Sequence, residues 1–350
     1  MPMSSSASAR LRRGIEMTQP AWLSDLLGVQ VPAEGASAVA NGRQITTVAG
    51  IPRSAEFVSA AQEQTRETFG FKWAKRDTFE GSVADHMRTW LVQKYGDVPF
   101  APWFKEHGEH PIILDAGCGA ALSGIALFGP VMDRVHYLGV DVSTAVDVAQ
   151  QRFMERAWSA GFIQADLNQI PVPERSVDIV FSEGVLHHTD NTFNALKAVT
   201  KHMKIGGRVV FYVYRKKGPV REFTDDYIRD KMQVMTAEEG WAAMEPLSEL
   251  GRILGELNIE IDIKRPIDLL EIPAGKINLQ RFFYWHVLKA FYRPEMSLDE
   301  MNHINFDWFA PKNARRHTVE EVRGWCKELG LTIEHEFAEE AGISVIAKLG

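Results

Sequence analysis

The sequence predicts an α/β protein: a doubly wound, seven-stranded sheet with an N-terminal lid and a helical insertion. From Pro111 onward, short apolar runs alternate with helix-like segments, as in a parallel sheet covered on both faces. Four of the first five runs stop at an acidic side chain or a glycine loop. The alternation breaks over residues 218–310, then resumes with a capped helix and two more apolar runs.

Residues 1–54 read as an N-terminal extension, partly disordered. The first seventeen residues are rich in Ser, Ala and Arg and lack the apolar stretch of a secretory signal. They fit either a transit-like peptide or a disordered extension ahead of a start at Met17. Trp22, Leu23, Leu26 and Leu27 suit one amphipathic turn, and residues 45–51 a short strand pair. Residues 55–110 read as a helical lid, with Phe69, Phe71, Trp73, Phe79, Trp90 and Trp103 along it.

Residues 111–217 form the expected core. Its runs are Ile112-Ile113-Leu114, ending at Asp115; residues 135–140, ending at Asp141; Phe162-Ile163, leading to Asp166; residues 177–181, ending at Ser182 and Glu183; and residues 209–214, entered through Gly206-Gly207. Residues 218–314 read as a helical insertion over the sheet edge. There Thr236-Ala237-Glu238-Glu239 is a capping box, and Trp241, Met244, Leu247, Leu250, Leu254 and Leu257 recur at the spacing of a core stripe. Residues 315–350 complete the core: Thr318-Val319-Glu320-Glu321 caps a helix that Gly330 stops, and residues 331–337 and 343–349 make two strands.

Bulk properties narrow the function. The 350 residues carry a net charge of -7, against the clustered basic charge of a nucleic-acid footprint. The two cysteines, Cys118 and Cys326, can build neither a disulfide framework nor a zinc cluster alone. A reducing cytoplasm and no metal are therefore expected. No run approaches the roughly 20 apolar residues of a membrane helix. A small-molecule partner is expected, with neither nucleic acid nor membrane; oligomeric state is left open.

In an open α/β sheet, ligands bind in the crevice beyond the carboxyl ends of the strands, so each strand-end residue has a role available. Gly117 and Gly119 let the backbone approach a ligand closely. Asp141 can take both hydroxyls of a ribose, Asp166 can accept from an adenine amino group, and Glu183 can face a cationic amine; each is also readable as a solvated loop carboxylate. A nicotinamide dinucleotide would want a third glycine for close helix packing, where this loop has Leu122.

Together these residues resemble a class I methyltransferase that uses S-adenosylmethionine (SAM) on small molecules. The resemblance runs through Ile113-Leu114-Asp115-Ala116-Gly117-Cys118-Gly119, Gly139-Val140-Asp141-Val142-Ser143, Gln164-Ala165-Asp166-Leu167, Val177-Asp178-Ile179-Val180-Phe181-Ser182-Glu183-Gly184-Val185-Leu186-His187-His188 and Lys204-Ile205-Gly206-Gly207. It implies the Rossmann-like methyltransferase fold with its last strand antiparallel, and SAM as cofactor. Asp115, Gly117 and Gly119 would hold the methionine end and Asp141, with Val142 beside it, the ribose. Asp166 and Leu167 would meet adenine, with Ser182 and Glu183 near the amino-acid moiety. Ala121 departs from the pattern, standing where such proteins often have a further glycine. Upstream, Gly50-Ile51-Pro52-Arg53 and Phe69-Gly70-Phe71-Lys72-Trp73 resemble methyltransferases preceded by a zinc-ribbon module, here without its cysteines; residues 69–73 would then be a lid over the cofactor.

Other residues carry competing readings. His187 and His188 can supply a general base or simply shape their loop. Arg281-Phe282-Phe283-Tyr284-Trp285-His286 reads as helix core. Asn305-Phe306-Asp307-Trp308-Phe309 reads as a loop whose Asn305, Asp307 and Trp308 line an acceptor pocket with Trp73, since aromatic faces suit a sulfonium or ammonium. Tyr214 lies at the catalytic edge, with Arg215-Lys216-Lys217 turned to water. Arg315, Arg316 and His317 read as a solvated basic turn, and Glu339-Glu340 as a solvated acidic one. Catalytic candidates are therefore His187, His188, Tyr214 and Asp307. The expected reaction is in-line methyl transfer to a small molecule. Two alternatives stay open: cyclisation of SAM to azetidine-2-carboxylate with release of methylthioadenosine, and a non-catalytic SAM-binding subunit.

Overall fold

The computed structural model describes residues 19–54, 59–74 and 82–350, the side chains of residues 60–61, 72–74 and 82–86 excepted. Phe79 and the side chain of Trp73 therefore lie outside the described residues. One central sheet takes its strands in chain order from β1 (Ser37–Ala40), β2 (Arg43–Val48), β3 (Ile51–Arg53), β4 (Ile112–Ala116), β5 (His136–Asp141), β6 (Ala160–Gln164), β7 (Val177–Glu183) and β8 (Met203–Tyr214). A hairpin apart from it pairs β9 (Glu260–Ile263) with β10 (Gly275–Asn278). The last two sheet strands are β11 (Leu331–Ala338) and β12 (Gly342–Leu349).

The sheet order is β1-β2-β3-β6-β5-β4-β7-β8-β12-β11. Strands β6, β5, β4, β7 and β8 are parallel, and β12 runs antiparallel between β8 and β11. Seven strands thus follow the doubly wound order expected from the sequence. From β4 the chain winds outward to β5 and β6, then returns to lay β7 and β8 on the other side. That reversal opens a crevice at the carboxyl ends of β4 and β7.

Residues next to each other in the strands serve opposite faces, because strand side chains alternate. Ile113, Tyr137, Phe162, Phe181 and Val210 face one core; Leu114, Leu138, Ile163, Val180 and Phe211 face the other. The first face is covered by α3 (Ser82–Tyr95), α4 (Leu122–Phe128) and α5 (Ala145–Glu155). The second is covered by α1 (Ala21–Leu27), α6 (Thr192–Thr200) and α11 (Val319–Glu328). Apolar runs without polar alternation are what this double covering requires.

Two regions differ from expectation. The strand pair near residues 45–51 gains β1, and the resulting antiparallel meander joins the sheet through a parallel pairing of Arg53 with Gln164. The Arg53 guanidinium donates to Asp147 at 2.6 Å and to Gln164 at 2.5 Å, fastening the meander to α5 and β6. In the insertion, the β9–β10 hairpin accompanies α7 (Pro219–Met232), α8 (Ala237–Leu257), α9 (Leu279–His286) and α10 (Leu298–Phe309). The capping boxes at Thr236 and Thr318 form, and a third, Ser297 with Glu300, starts α10. The α8 stripe buries Trp241, Met244 and Leu254, but Leu250 and Leu257 are exposed among the described residues.

Candidate active site

A cavity of about 720 Å³ runs from the crevice between β4 and β7 to the inner wall of the insertion. Its first half is built from strand ends. The backbone after β4 turns through left-handed conformations at Gly117 (φ +87°) and Gly119 (φ +51°). A Cβ on Gly117 would stand 2.2 Å from Val185 Cγ1, so the loop needs glycine there for space as well as conformation. Ala121 also sits in the left-handed region (φ +60°), the geometry a glycine adopts more readily. Gly119 N donates to Asp141 Oδ2 at 2.8 Å, while Ser143 N and Ser143 Oγ donate to Asp141 Oδ1 at 2.8 and 2.7 Å. The carboxylate is thereby locked in one orientation at the end of β5.

Asp166 is held similarly: its Oδ1 accepts from Asn168 N at 2.7 Å and Asn168 Nδ2 at 2.9 Å. Asp115 is buried, and the Tyr137 hydroxyl donates to it. Burial pushes the Asp115 carboxyl up to about 7, opposed by the Tyr137 hydrogen bond and assisted by the charges of Asp141 and Glu183. Glu183 is met by Lys94 Nζ and the Tyr95 hydroxyl from α3. Lys94 Nζ also lies 3.6 Å from the Trp90 ring centroid and 3.5 Å from that of Tyr212. Burial brings the Lys94 ammonium down to about 8, against the pull of Glu183. Glu183 is thus an ion-paired wall of the cavity rather than an isolated carboxylate. Val142 and Leu167 add apolar surface, and Phe69 on α2 (Ala60–Ala74) lines the same cavity against His188.

The second half is lined from the insertion and the end of β8. Tyr214 packs on Trp308 with ring centroids 4.4 Å apart. The Trp308 indole N–H donates to Asp225 Oδ2 at 2.7 Å, and Arg221 Nε donates to the same oxygen at 2.8 Å. Asp307 lines this half, together with Arg281, Tyr284 and Trp285 from α9. Burial raises the Tyr214 phenol well above its ordinary value, so it remains a neutral donor at physiological pH. Burial, with Arg221 adding repulsion, brings Lys217 down to about 7; burial does the same to Lys289.

Several expected site residues lie elsewhere. His187 is fully buried behind the cavity, its ring tilted against Tyr214 with centroids 3.7 Å apart, and neither ring nitrogen has a hydrogen-bond partner among the described residues. Burial drives its pKa well below the ordinary value, and its ring does not line the cavity. His188 does line the cavity, but its Nδ1–H donates to the Asn313 carbonyl at 2.6 Å. Ser182 points to the opposite face from Glu183 and donates to the Ala116 carbonyl at 2.8 Å, tying β7 to β4.

Residues 305–309 are helix, not loop. Asn305 lies on the far side of α10, donating to Ser248 Oγ at 2.9 Å and accepting from Phe291 N at 3.1 Å. The cavity face of α10 is Glu300, His303, Ile304, Asp307 and Trp308, at helical spacing. Four other expectations also fail. Arg281, Tyr284 and Trp285 face the cavity instead of a core; Lys217 and Glu339 line it instead of facing open water. His317 is buried against Thr192 Oγ1 at 2.8 Å, and Arg316 pairs with Glu222 and Asp226, because α7 packs over that turn.

Known proteins share this core. A family model described as a methyltransferase domain matches residues 114–211. Phosphoethanolamine N-methyltransferase 1 of Arabidopsis thaliana is 28% identical over 122 residues, 34% of this chain and 24% of that protein. Its Triticum aestivum counterpart is 29% identical over 121 residues, with the same shares. The chain thus spans about a quarter of the length of these curated relatives. Among solved structures, magnesium protoporphyrin IX methyltransferase of Synechocystis with bound SAM aligns at 13% identity and a TM-score of 0.43, over 85% of this chain and 100% of that one. With the strand order, the glycine loop and the locked carboxylates already described, the sequence match identifies residues 114–211 as a class I, S-adenosylmethionine-dependent methyltransferase domain.

Proposed function

We propose that the protein transfers the methyl group of SAM to a small molecule enclosed between the sheet edge and the insertion. The observation that carries this reading is the single cavity that joins the strand-end carboxylates to the insertion wall. The residues at the first end fit SAM chemically. Asp141, held by Gly119 and Ser143, would take the ribose hydroxyls; Val142, Asp166 and Leu167 would take adenine. Asp115, Gly117 and Gly119 would hold the methionine end, with Glu183 alongside. When bound, SAM supplies an electrophilic methyl group on a sulfonium.

The chain's own part is to align the acceptor and exclude water. Tyr214 and Trp308 form the aromatic wall at the junction of the two halves, and Tyr214 offers a hydroxyl there. Asp307 is the α10 carboxylate on the acceptor side, and we assign it the task of receiving the acceptor's proton where one must leave. His188, fixed by Asn313, orders the loop beneath them. The named substrate of the plant relatives, phosphoethanolamine, is small enough for such an enclosure and supports a small acceptor.

The test incubates the purified protein with methyl-labelled SAM, alone and with a panel of small amines, alcohols and acids. S-adenosylhomocysteine formed only when an acceptor is present is the expected result. Methylthioadenosine released from SAM alone, or no binding of SAM at all, would overturn the assignment.

A further inference from the structure

Trp308 is surrounded by cations. Lys289 Nζ lies 4.8 Å from its ring centroid, Lys217 Nζ 5.5 Å and the Arg221 guanidinium carbon 5.5 Å, and all three side chains line the cavity. Among the described residues, the two lysines hydrogen-bond to neutral oxygens alone. Lys289 donates to the Ile304 carbonyl at 3.1 Å, and Lys217 to the Arg215 and Ala341 carbonyls at 2.6 and 3.0 Å. An ammonium has three donors, so both retain N–H groups for a ligand. Arg281 and Arg293 line the same half, and neither they nor the two lysines have an ion-pair partner among the described residues.

The carboxylates nearby do not cancel this cluster. Asp225 is shared by Arg221 and the Trp308 indole, and Glu300 is held by the backbone N–H of Ser297 in its capping box. Glu339 stands at the β11–β12 turn, where burial pushes its carboxyl up. Asp307 attracts Lys289, and Glu222, whose oxygens accept from Lys217 N and Arg316, attracts Lys217. Yet Lys217, Arg221, Arg281, Lys289 and Arg293 line this half against only Glu300, Asp307 and Glu339 among the described residues. Enclosed cations without partners are costly, and proteins keep them where a ligand completes the pairing.

We infer that the acceptor carries an oxyanion, a phosphate or a carboxylate, which Lys289, Lys217 and Arg221 bind beside Trp308 with Arg281 and Arg293 at the rim. This inference rests on the proposed methyl transfer and names the class of acceptor for it. The depressed lysines add a consequence: an anion should raise both, so binding should take up protons near neutral pH.

The experiment titrates the full chain, saturated with S-adenosylhomocysteine, with inorganic phosphate and separately with acetate at constant ionic strength, by calorimetry in two buffers of different ionisation enthalpy. Saturable binding with proton uptake is expected, weakened about tenfold in Lys289→Gln and in the less buried Arg281→Gln. Tighter phosphate binding would assign a phosphate-bearing acceptor, and tighter acetate binding a carboxylate. Thermal melts check that each variant is folded, and Arg281→Gln serves if Lys289→Gln is not. No saturable binding of either anion, or binding unchanged in a folded variant, would overturn the inference while leaving methyl transfer intact. A loss of SAM affinity in Lys289→Gln would also overturn it, by assigning the cations to the cofactor's own carboxylate. Failure of the wild-type chain to bind SAM would instead remove the underlying proposal.

Discussion

The two halves of the cavity are opposites in construction and in charge. The half beyond β4, β5 and β6 is acidic and made of short loops, each anchored to the strand before it: Asp115, Asp141 and Asp166. The half under the insertion is aromatic and basic, and is made of helix faces and turns that meet only in the folded chain: Lys217, Arg221, Arg281, Lys289 and Trp308. The first suits a cationic sulfonium and its ribose, the second an electron-rich, anionic partner. The difference teaches that one wall is set by the generic sheet and the other by what this chain has added to it.

Substitutions on either side should therefore separate. The largest effect is expected from Trp308→Ala, which empties a buried site, leaves Asp225 with one donor fewer and removes one of the ring contacts of Tyr214. Equilibrium unfolding should show a loss of about 3–5 kcal/mol, and acceptor turnover should collapse while the folded fraction still binds SAM. Equal loss of SAM affinity would mean the halves are not independent.

Asp115→Asn tests the acidic half through pH. The folded state holds its proton up to about 7 against 3.8 for an ordinary aspartate, so the folded chain binds more protons than the unfolded one across that interval. Wild-type stability should consequently fall as pH rises through this window, by about 4 kcal/mol at most. The Asn variant should lack that fall and be the more stable protein at pH 8, with weaker SAM binding. Parallel stability curves for the two proteins between those pH values would refute the buried-acid description.

Asp141→Ala should cost about 3 kcal/mol of SAM binding, roughly a hundredfold in Kd, from two lost charge-assisted hydrogen bonds. Its effect on anion binding by the basic half should be negligible. Unchanged SAM affinity in calorimetry would sink the ribose assignment.

Legibility in the sequence follows the same division. A carboxylate at or just beyond the end of an apolar run emerges at the strand's carboxyl end, so Asp115, Asp141 and Asp166 could be located without coordinates. The same alternation, applied one residue further, separates Ser182 from Glu183: neighbours in a strand face opposite sides, and only Glu183 faces the cavity. On helices, composition misled where spacing would have served. Ser297-x-x-Glu300 announces a helix that runs through residues 305–309, and positions 300, 303, 304, 307 and 308 form one of its faces. Asn305 falls outside that face. Arg281, Tyr284 and Trp285 share a face of α9 in the same way. No local pattern says that these faces turn toward a cavity rather than a core, because that depends on packing between segments far apart in sequence. Lys217 illustrates this most sharply: its basic turn is solvent-facing by composition, and it becomes enclosed only when Ala341 and Trp308 close around it.

The β1–β3 meander bears on self-association. Without it β6 would be the sheet's outermost strand, offering unpaired peptide groups to another molecule. The meander covers the carboxyl end of β6 through Arg53 and Ser54, the Gln19 side chain accepts from Phe162 N further along, and the outermost strand is β1, only four residues long. At the opposite border, β11 carries a register shift between Ile333 and His335, with Glu334 and Glu336 ion-paired to Arg208 and Arg323. Both borders are therefore poor templates for strand addition, and the sheet can be this wide without becoming a seed for aggregation.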